Sequence, residues 1–311
     1  MLPQFVFCTT RFKERTNMYY RRKVLLALLS QCGGKIEKLK LQKLLLLFCS
    51  KQQNPAYDFV PYKFGCFSFG ANADLVAMKR KGLIEETETS WIILKETPES
   101  KQLDSTDLVN LELICDKYAK LSTEELIFQT YLLLPYYAIN SSIAINLLND
   151  EQMQDVKKTI IDDNSTTLFT IGYEGKSLEQ FLNTLIRNNI RFLCDVRKNA
   201  MSMKYGFVKG TLSNACHNVG IRYFHIPSLG IESAERKDLA TKEDYRKLFE
   251  EYRAGVLLNT TAEQNQILQY LSIEKRVALM CFEKDPQMCH RSHLAATLVA
   301  LSKSNLPLIH L

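Results

Sequence analysis

From Leu168 onward the chain alternates between short apolar runs and amphipathic stretches, and this rhythm constrains the fold more than any other feature. Residues 168–172, 191–196, 221–226 and 276–282 read as strands, with 306–311 as a last one. Helices over 177–188, 209–218 and 291–302, and a helical insertion over about 242–272, fall between them. Ser177 stands where an N-cap belongs, with Glu179 and Gln180 in the first turn. Strands that alternate with helices imply an α/β domain, a mainly parallel sheet covered by helices on both faces.

In such a sheet ligands bind beyond the carboxyl ends of the strands. Polar residues collect at those ends here. Tyr173 and Glu174 follow the first strand, Asp195 and Arg197 the second, His225 the third, and Cys281, Glu283, Cys289, His290 and Arg291 the fourth. Asp195, Glu283 and Cys289 are the candidates for chemistry, the acids as general bases and the thiol as a nucleophile. Tyr173, Glu174, Arg197, His225, His290 and Arg291 are the candidates for holding a ligand. Arg291 opens a helix, where free N–H groups and the dipole favour an anion, and it is expected to be the main anion anchor. The opposing reading pairs Arg291 with Asp195 or Glu283 as an internal strut. His290 follows Cys289 directly, and adjacent side chains diverge, so His225 is the better base for that thiol. Cys281, Cys289 and His290 match no standard zinc spacing, and no metal is assigned. The sequence names no cofactor.

The 311 residues exceed one ordinary domain, and charge divides them. Residues 1–81 hold 15 Lys or Arg against four acids, a net of +11, whereas the remainder holds 25 against 30, a net of −5. A basic excess confined to one segment points to a polyanion partner. Within it, helices over 21–32, 39–48 and 72–81 precede a hairpin of 83–86 and 91–94, the order of a winged helix. Lys40 and Lys43 on the outer face of the second helix, and Lys79, Arg80 and Lys81 closing the third, are the expected nucleic-acid contacts. The resulting division is a basic winged-helix-like region over 1–103, a helical connector over 104–164 and the α/β domain over 165–311, with residues 162–167 as the linker.

Nine cysteines, most inside apolar runs and none in a CxxC pair, read as reduced buried thiols. No apolar segment follows the basic N-terminal residues, so no signal peptide is expected. Residues 126–149 carry no charge, but Gln129, Thr130, Pro135, Asn140, Ser141, Ser142 and Asn146 make them too polar to span a bilayer. The expectation is a cytoplasmic chain with no membrane contact, and a homodimer is compatible with it.

Two resemblances add to this reading. Residues 168–311 resemble the "domain of unknown function 488" family. The resemblance is carried by Ile171-Gly172-Tyr173-Glu174, Asp195-Val196-Arg197, Ser202 with Tyr205-Gly206-Phe207, Gly220-Ile221-Arg222-Tyr223, Ile226-Pro227-Ser228-Leu229-Gly230, and the stretch from Cys281-Phe282-Glu283-Lys284-Asp285-Pro286 to Cys289-His290-Arg291. It implies a bacterial or archaeal cytosolic α/β domain of no settled activity. Residues 20–86 resemble the helical domain of the SocA/Panacea antitoxin-like group through Lys40-Leu41-Gln42-Lys43-Leu44-Leu45, Phe64-Gly65 and Lys81-Gly82-Leu83-Ile84.

Three functions fit the sequence. The first is a nucleic-acid-associated protein whose α/β rim binds or acts on a phosphate-bearing ligand. The second is a non-catalytic regulator, or a defence or toxin–antitoxin component, with a sensing pocket. The third is a cysteine-dependent enzyme. Whether there is turnover stays open at this point.

Overall fold

A computed structural model describes residues 18–95, 98–236, 239, 241–302 and 305–311. Arg11, Lys13 and Arg15, which contribute to the basic count, and the segment read for a signal peptide lie outside the described residues.

The N-terminal region runs α1 (Tyr20–Gln31), β1 (Lys35–Glu37), α2 (Lys38–Cys49), β2 (Val60–Tyr62), β3 (Gly65–Phe67), α3 (Phe69–Arg80), β4 (Ile84–Glu86) and β5 (Ser90–Ile93). Gly33 and Gly34, both at φ +81°, end α1 and turn the chain into β1. β1 pairs with β5, giving a three-stranded sheet in the order β1-β5-β4 beside the three helices. The three helices and the β4–β5 hairpin follow one another in the order read from the sequence. β1 and the β2–β3 hairpin are additions to it, and α3 starts three residues before the expected Asn72, because Ser68 caps it by accepting from the Ala71 N–H. Leu25, Leu28, Leu41, Leu44, Phe48, Leu75 and Met78 are fully buried between these helices.

That packing corrects the outward placement of two lysines. Lys43 is 1 % exposed, and its Nζ donates to the Cys66 carbonyl at 3.1 Å. From Leu41 to Cys49 every residue of α2 is buried, between α1, β3 and the helices that follow, so Lys43 has no free face. Lys40 is half-buried and donates to the Leu121 carbonyl at 2.6 Å.

α4 (Ser105–Tyr118), α5 (Thr123–Leu133), α6 (Ala144–Leu147) and α7 (Asp150–Lys158) follow. α5 stops just short of Pro135, which cannot continue a helix, so the uncharged stretch is split. Among the described residues no helix is long and apolar enough to cross a membrane.

The α/β part runs β6 (Thr167–Gly172), α8 (Leu178–Arg187), β7 (Phe192–Asp195), α9 (Lys209–His217), β8 (Arg222–His225), α10 (Lys242–Tyr252), α11 (Thr261–Glu274), β9 (Arg276–Cys281), α12 (His290–Leu301) and β10 (Leu308–His310). The five strands are all parallel, in the order β10-β6-β9-β7-β8. Successive side chains of a strand point to opposite faces. Accordingly Leu168, Cys194, Val277 and Leu279 pack with α10, α11 and α12, while Phe169, Ile171, Leu193, Ala278 and Met280 pack with α8 and α9. Each large apolar side chain among these contributes about 1.5–3 kcal/mol by burial, and every residue of β6 and β9 is buried.

The winding positions the site. Chain leaving β6 and β7 goes to the α8–α9 face. Chain leaving β9, which lies between those strands, goes to the α12 face. The loops therefore part above the end of β9, where Cys281 sits.

Candidate functional site

Two glycines let the loops close in on this point. A Cβ on Gly172 would lie 1.9 Å from the Glu283 carbonyl oxygen, and one on Gly230 would lie 2.1 Å from the Lys198 nitrogen. The missing side chains bring the loop after β9 onto the end of β6, and the loop after β8 onto that after β7. The result is a cleft of about 190 Å³ lined by Tyr173, Arg197, Lys198, Arg236, Cys281 and Phe282, among others.

One wall is a closed polar network. Asp195 is fully buried and accepts from Arg197 Nε at 2.8 Å, Arg197 Nη2 at 2.5 Å and the Tyr223 hydroxyl at 2.6 Å. Arg197 Nη1 also donates to the Tyr173 hydroxyl and to the Phe207 carbonyl, each at 3.0 Å. Tyr173 in turn stacks on Phe207, with ring centroids 4.2 Å apart. Burial and the Asp195 carboxylate push the Tyr223 hydroxyl far above its ordinary pKa, so it stays a donor. Both charges of the Asp195–Arg197 pair face each other, and neither carboxylate oxygen is left without a donor. His225 holds the same loop through Nε2, 2.8 Å from the Arg197 carbonyl.

The opposite wall carries the sulfur. Cys281 Sγ lies 3.7 Å from His290 Nδ1 and Cys289 Sγ 4.0 Å from it. Proximity of His290 to both thiols corrects the expectation that it diverges from Cys289. Cys289 is extended (φ −138°, ψ 135°) where the helix begins at His290, and the change of backbone direction turns the ring back under the sulfur. His290 Nε2 is 3.0 Å from the Val196 carbonyl, so Nε2 carries the proton and Nδ1 presents its lone pair. Arg236 Nη2 donates to that Nδ1 at 2.8 Å, and Nη1 pairs with Glu283 at 2.7 Å. Burial opposes ionisation of Cys281, but the hydrogen bond from Cys289, the imidazole of His290 beside it and the Arg236 charge outweigh it and hold the thiol well below its usual range. Cys289, buried and beside Cys281, is pushed far up. Burial and then Cys281 raise the pKa of Glu283, whose Oε2 is 3.3 Å from the Cys281 sulfur.

Arg291 stands behind this wall. It is fully buried and donates to the Glu283 carbonyl at 2.6 Å and the Lys284 carbonyl at 3.1 Å. Neither acid expected as its strut partner is the one it meets: Asp195 pairs with Arg197, and Glu283 with Arg236. Its Nε has no partner. Glu174 accepts from the Lys284 N–H at 2.8 Å and so ties the first loop to the last. Lys204 reaches the Tyr173 carbonyl at 3.1 Å. Lys176 is driven below its ordinary pKa by burial and by the charges of Lys284, Arg291 and Lys204.

All nine α/β candidates thus meet at the carboxyl ends of β6, β7, β8 and β9. Arg236, Lys176, Lys204 and Tyr223 complete the group without having been singled out. Lys204 lies within the motif segment from Ser202 to Phe207 and Lys176 directly follows Tyr173-Glu174-Gly175, so position alone marked both. Nothing in the run around Arg236 marked it. Of the five basic candidates in the N-terminal region, Lys79, Arg80 and Lys81 are exposed at the end of α3, and Lys79 pairs with Glu86 at 3.0 Å.

Residues 177–298 match the family model described as "Domain of unknown function DUF488". That stretch of the C-terminal α/β part is therefore similar to this family. The matched stretch contains Asp195, Arg197, Cys281, Cys289, His290 and Arg291, and it begins just after Tyr173 and Glu174. No curated protein matches the chain.

Proposed function

We propose that the chain is a nucleic-acid-associated protein whose α/β part holds a phosphate-bearing ligand at the cleft above β9. The observation that supports this reading is the concentration of cations at the cleft: Arg197, Lys198 and Arg236 line it, and Lys176 is close enough to Lys284, Arg291 and Lys204 for their charges to lower its pKa. Like charges brought together raise the energy of the empty site, and an anion among them relieves that cost. Arg291 supports the anion from behind through its charge, since two of its donors already serve the Glu283 and Lys284 carbonyls. Tyr173 and Phe282 offer aromatic surface next to the cations.

Nucleic-acid contact falls to the C-terminal end of α3. The β4–β5 wing carries Glu85 and Glu86 on β4 and Glu88 in its turn, and these repel phosphate. Arg21 and Arg22 are both spent on the buried Asp74. Lys79, Arg80 and Lys81 remain as an exposed basic run.

Both halves of the reading are tested on the full chain. Inorganic pyrophosphate is expected to raise the melting temperature of the wild type, by about 2.7 kcal/mol of stabilisation at a hundredfold excess over Kd, and to have a much smaller effect on Lys176→Ala/Lys284→Ala. Equal stabilisation of the two proteins, or none, defeats the ligand reading. Gel shifts at low salt are expected to retard a DNA duplex, with a shallower salt dependence for Lys79→Ala/Arg80→Ala/Lys81→Ala. No shift of wild type at micromolar protein defeats the nucleic-acid reading.

A further inference from the structure

We propose that Cys281, Cys289 and His290 form a binding site for one soft divalent metal ion, zinc by chemistry, at the floor of the cleft. Their donor atoms, two Sγ and Nδ1, all lie within 4.8 Å of one another. A tetrahedral zinc with Zn–S of about 2.3 Å and Zn–N of about 2.0–2.1 Å places sulfur and nitrogen about 3.6 Å apart. The observed separations of 3.7 and 4.0 Å lie within a few tenths of an ångström of that value. Thiolate and imidazole donors select zinc over the oxygen-preferring calcium and magnesium.

The surroundings match what a metal-bound histidine needs. Nε2–H is fixed on the Val196 carbonyl, which sets the tautomer and aims Nδ1 at the two sulfurs. All three residues are buried, so the donors are preorganised, while Cys281 also lines the cleft and gives an entry path. Three protein donors leave a fourth position open towards the cleft, the pattern of reactive rather than structural zinc. The place of the cation is taken by Arg236, whose Nη2 donates to Nδ1 while Nη1 pairs with Glu283. A metal ion replaces that guanidinium at Nδ1, and each cysteine bound as thiolate releases its proton to water. Arg236 is therefore a competitor for the site.

Cobalt(II) is the probe, because thiolate coordination gives it charge-transfer and tetrahedral d–d absorption. The reduced full chain is expected to bind about one cobalt per chain with both bands, and zinc should displace it. Cys281→Ser, Cys289→Ser and His290→Ala should each weaken binding by at least about tenfold, whereas Cys66→Ser, a buried thiol in the N-terminal region, should leave it unchanged. Arg236→Ala keeps all three donors and removes only a half-buried side chain at the end of a short 3-10 helix, so it guards against misfolded ligand variants; it should bind cobalt several-fold more tightly than wild type. Absence of the thiolate band in wild type overturns the proposal, as does Arg236→Ala binding no more tightly than wild type. The readout needs no phosphate, so failure here leaves the ligand reading standing, and failure with pyrophosphate leaves this one.

Discussion

At the scale of single residues, the site depends on atoms that are absent as much as on those present. Gly172→Ala puts a methyl group 1.9 Å from a backbone oxygen that cannot swing away, because Arg291 holds that same oxygen at 2.6 Å. The variant is expected to lose about 1–3 kcal/mol or more of stability. Gly255→Ala meets nothing within 4 Å and is expected to gain about 0.5–1 kcal/mol. Chemical denaturation of both variants checks the pair, and equal changes would contradict the close approach. Lys43 makes a second residue-scale case. Burial holds its amine below the ordinary lysine pKa. The folded chain therefore binds that proton less readily than the unfolded chain. The resulting penalty is present in full below the folded pKa and is relieved as pH rises towards about 10.4. Lys43→Met should accordingly melt a few degrees above wild type at neutral pH, since about 1 kcal/mol is worth roughly 2–4 °C in a chain of this kind. The advantage should shrink at alkaline pH. An advantage independent of pH would mean that packing, not charge, separates the two proteins.

At the scale of elements, the parts most legible in the sequence are those whose own pattern decides them. β6 and β9 are mostly apolar because both faces are covered, and α8 announces itself through Ser177 and Gln180, which form a reciprocal cap. β1 stayed hidden because three residues carry no period, and its existence depends on pairing with β5 fifty-five positions away at Ile36 and Trp91. The β-like pattern of residues 59–64 covers β2, whereas β3 was concealed by Gly65 at φ +91°, which reads as the start of a turn but belongs to a hairpin. The rim residues were legible because strand ends mark them. Their partners were not, since pairing is tertiary: no spacing tells that Asp195 takes Arg197 rather than Arg291. That pair fixes the end of β7, with side chains 0 % and 6 % exposed. Breaking a buried pair leaves an uncompensated charge, so Asp195→Asn and Arg197→Met should each cost about 3–5 kcal/mol, while the double variant should cost much less than their sum. Urea unfolding of the four proteins measures the coupling. Additive losses would show that the two charges do not depend on each other.

At the scale of the whole molecule, a buried carboxylate is among the groups that join the N-terminal region to the α/β part. Glu179 on α8 is 3 % exposed and accepts from the Gly70 N–H at 2.7 Å and the Ser68 hydroxyl at 3.2 Å, at the start of α3. Ser177 donates to Asp58, and Asn183 to the Phe59 carbonyl, alongside it. In a winged helix the N-terminal residues of this third helix face the groove of DNA; here the α/β domain covers them, so the exposed C-terminal end of α3 is what reaches solvent. Burial raises the pKa of Glu179 even though the Gly70 and Ser68 hydrogen bonds lower it. The folded chain thus takes up this proton more readily than the unfolded one. The stabilising contribution is complete below the unfolded value of about 4.3 and is lost as pH rises through the folded pKa. Glu179→Gln keeps an acceptor oxygen for Gly70 but cannot titrate. The wild type is therefore expected to gain stability on Glu179→Gln as pH falls from neutral towards about 4.3, by about 1.4 kcal/mol for each unit that Glu179 is raised. Subtracting one unfolding profile from the other removes the acid sensitivity of every other carboxylate. A flat difference would mean that the hydrogen bonds at the start of α3 fully offset burial and that docking of the two halves is insensitive to protonation of Glu179.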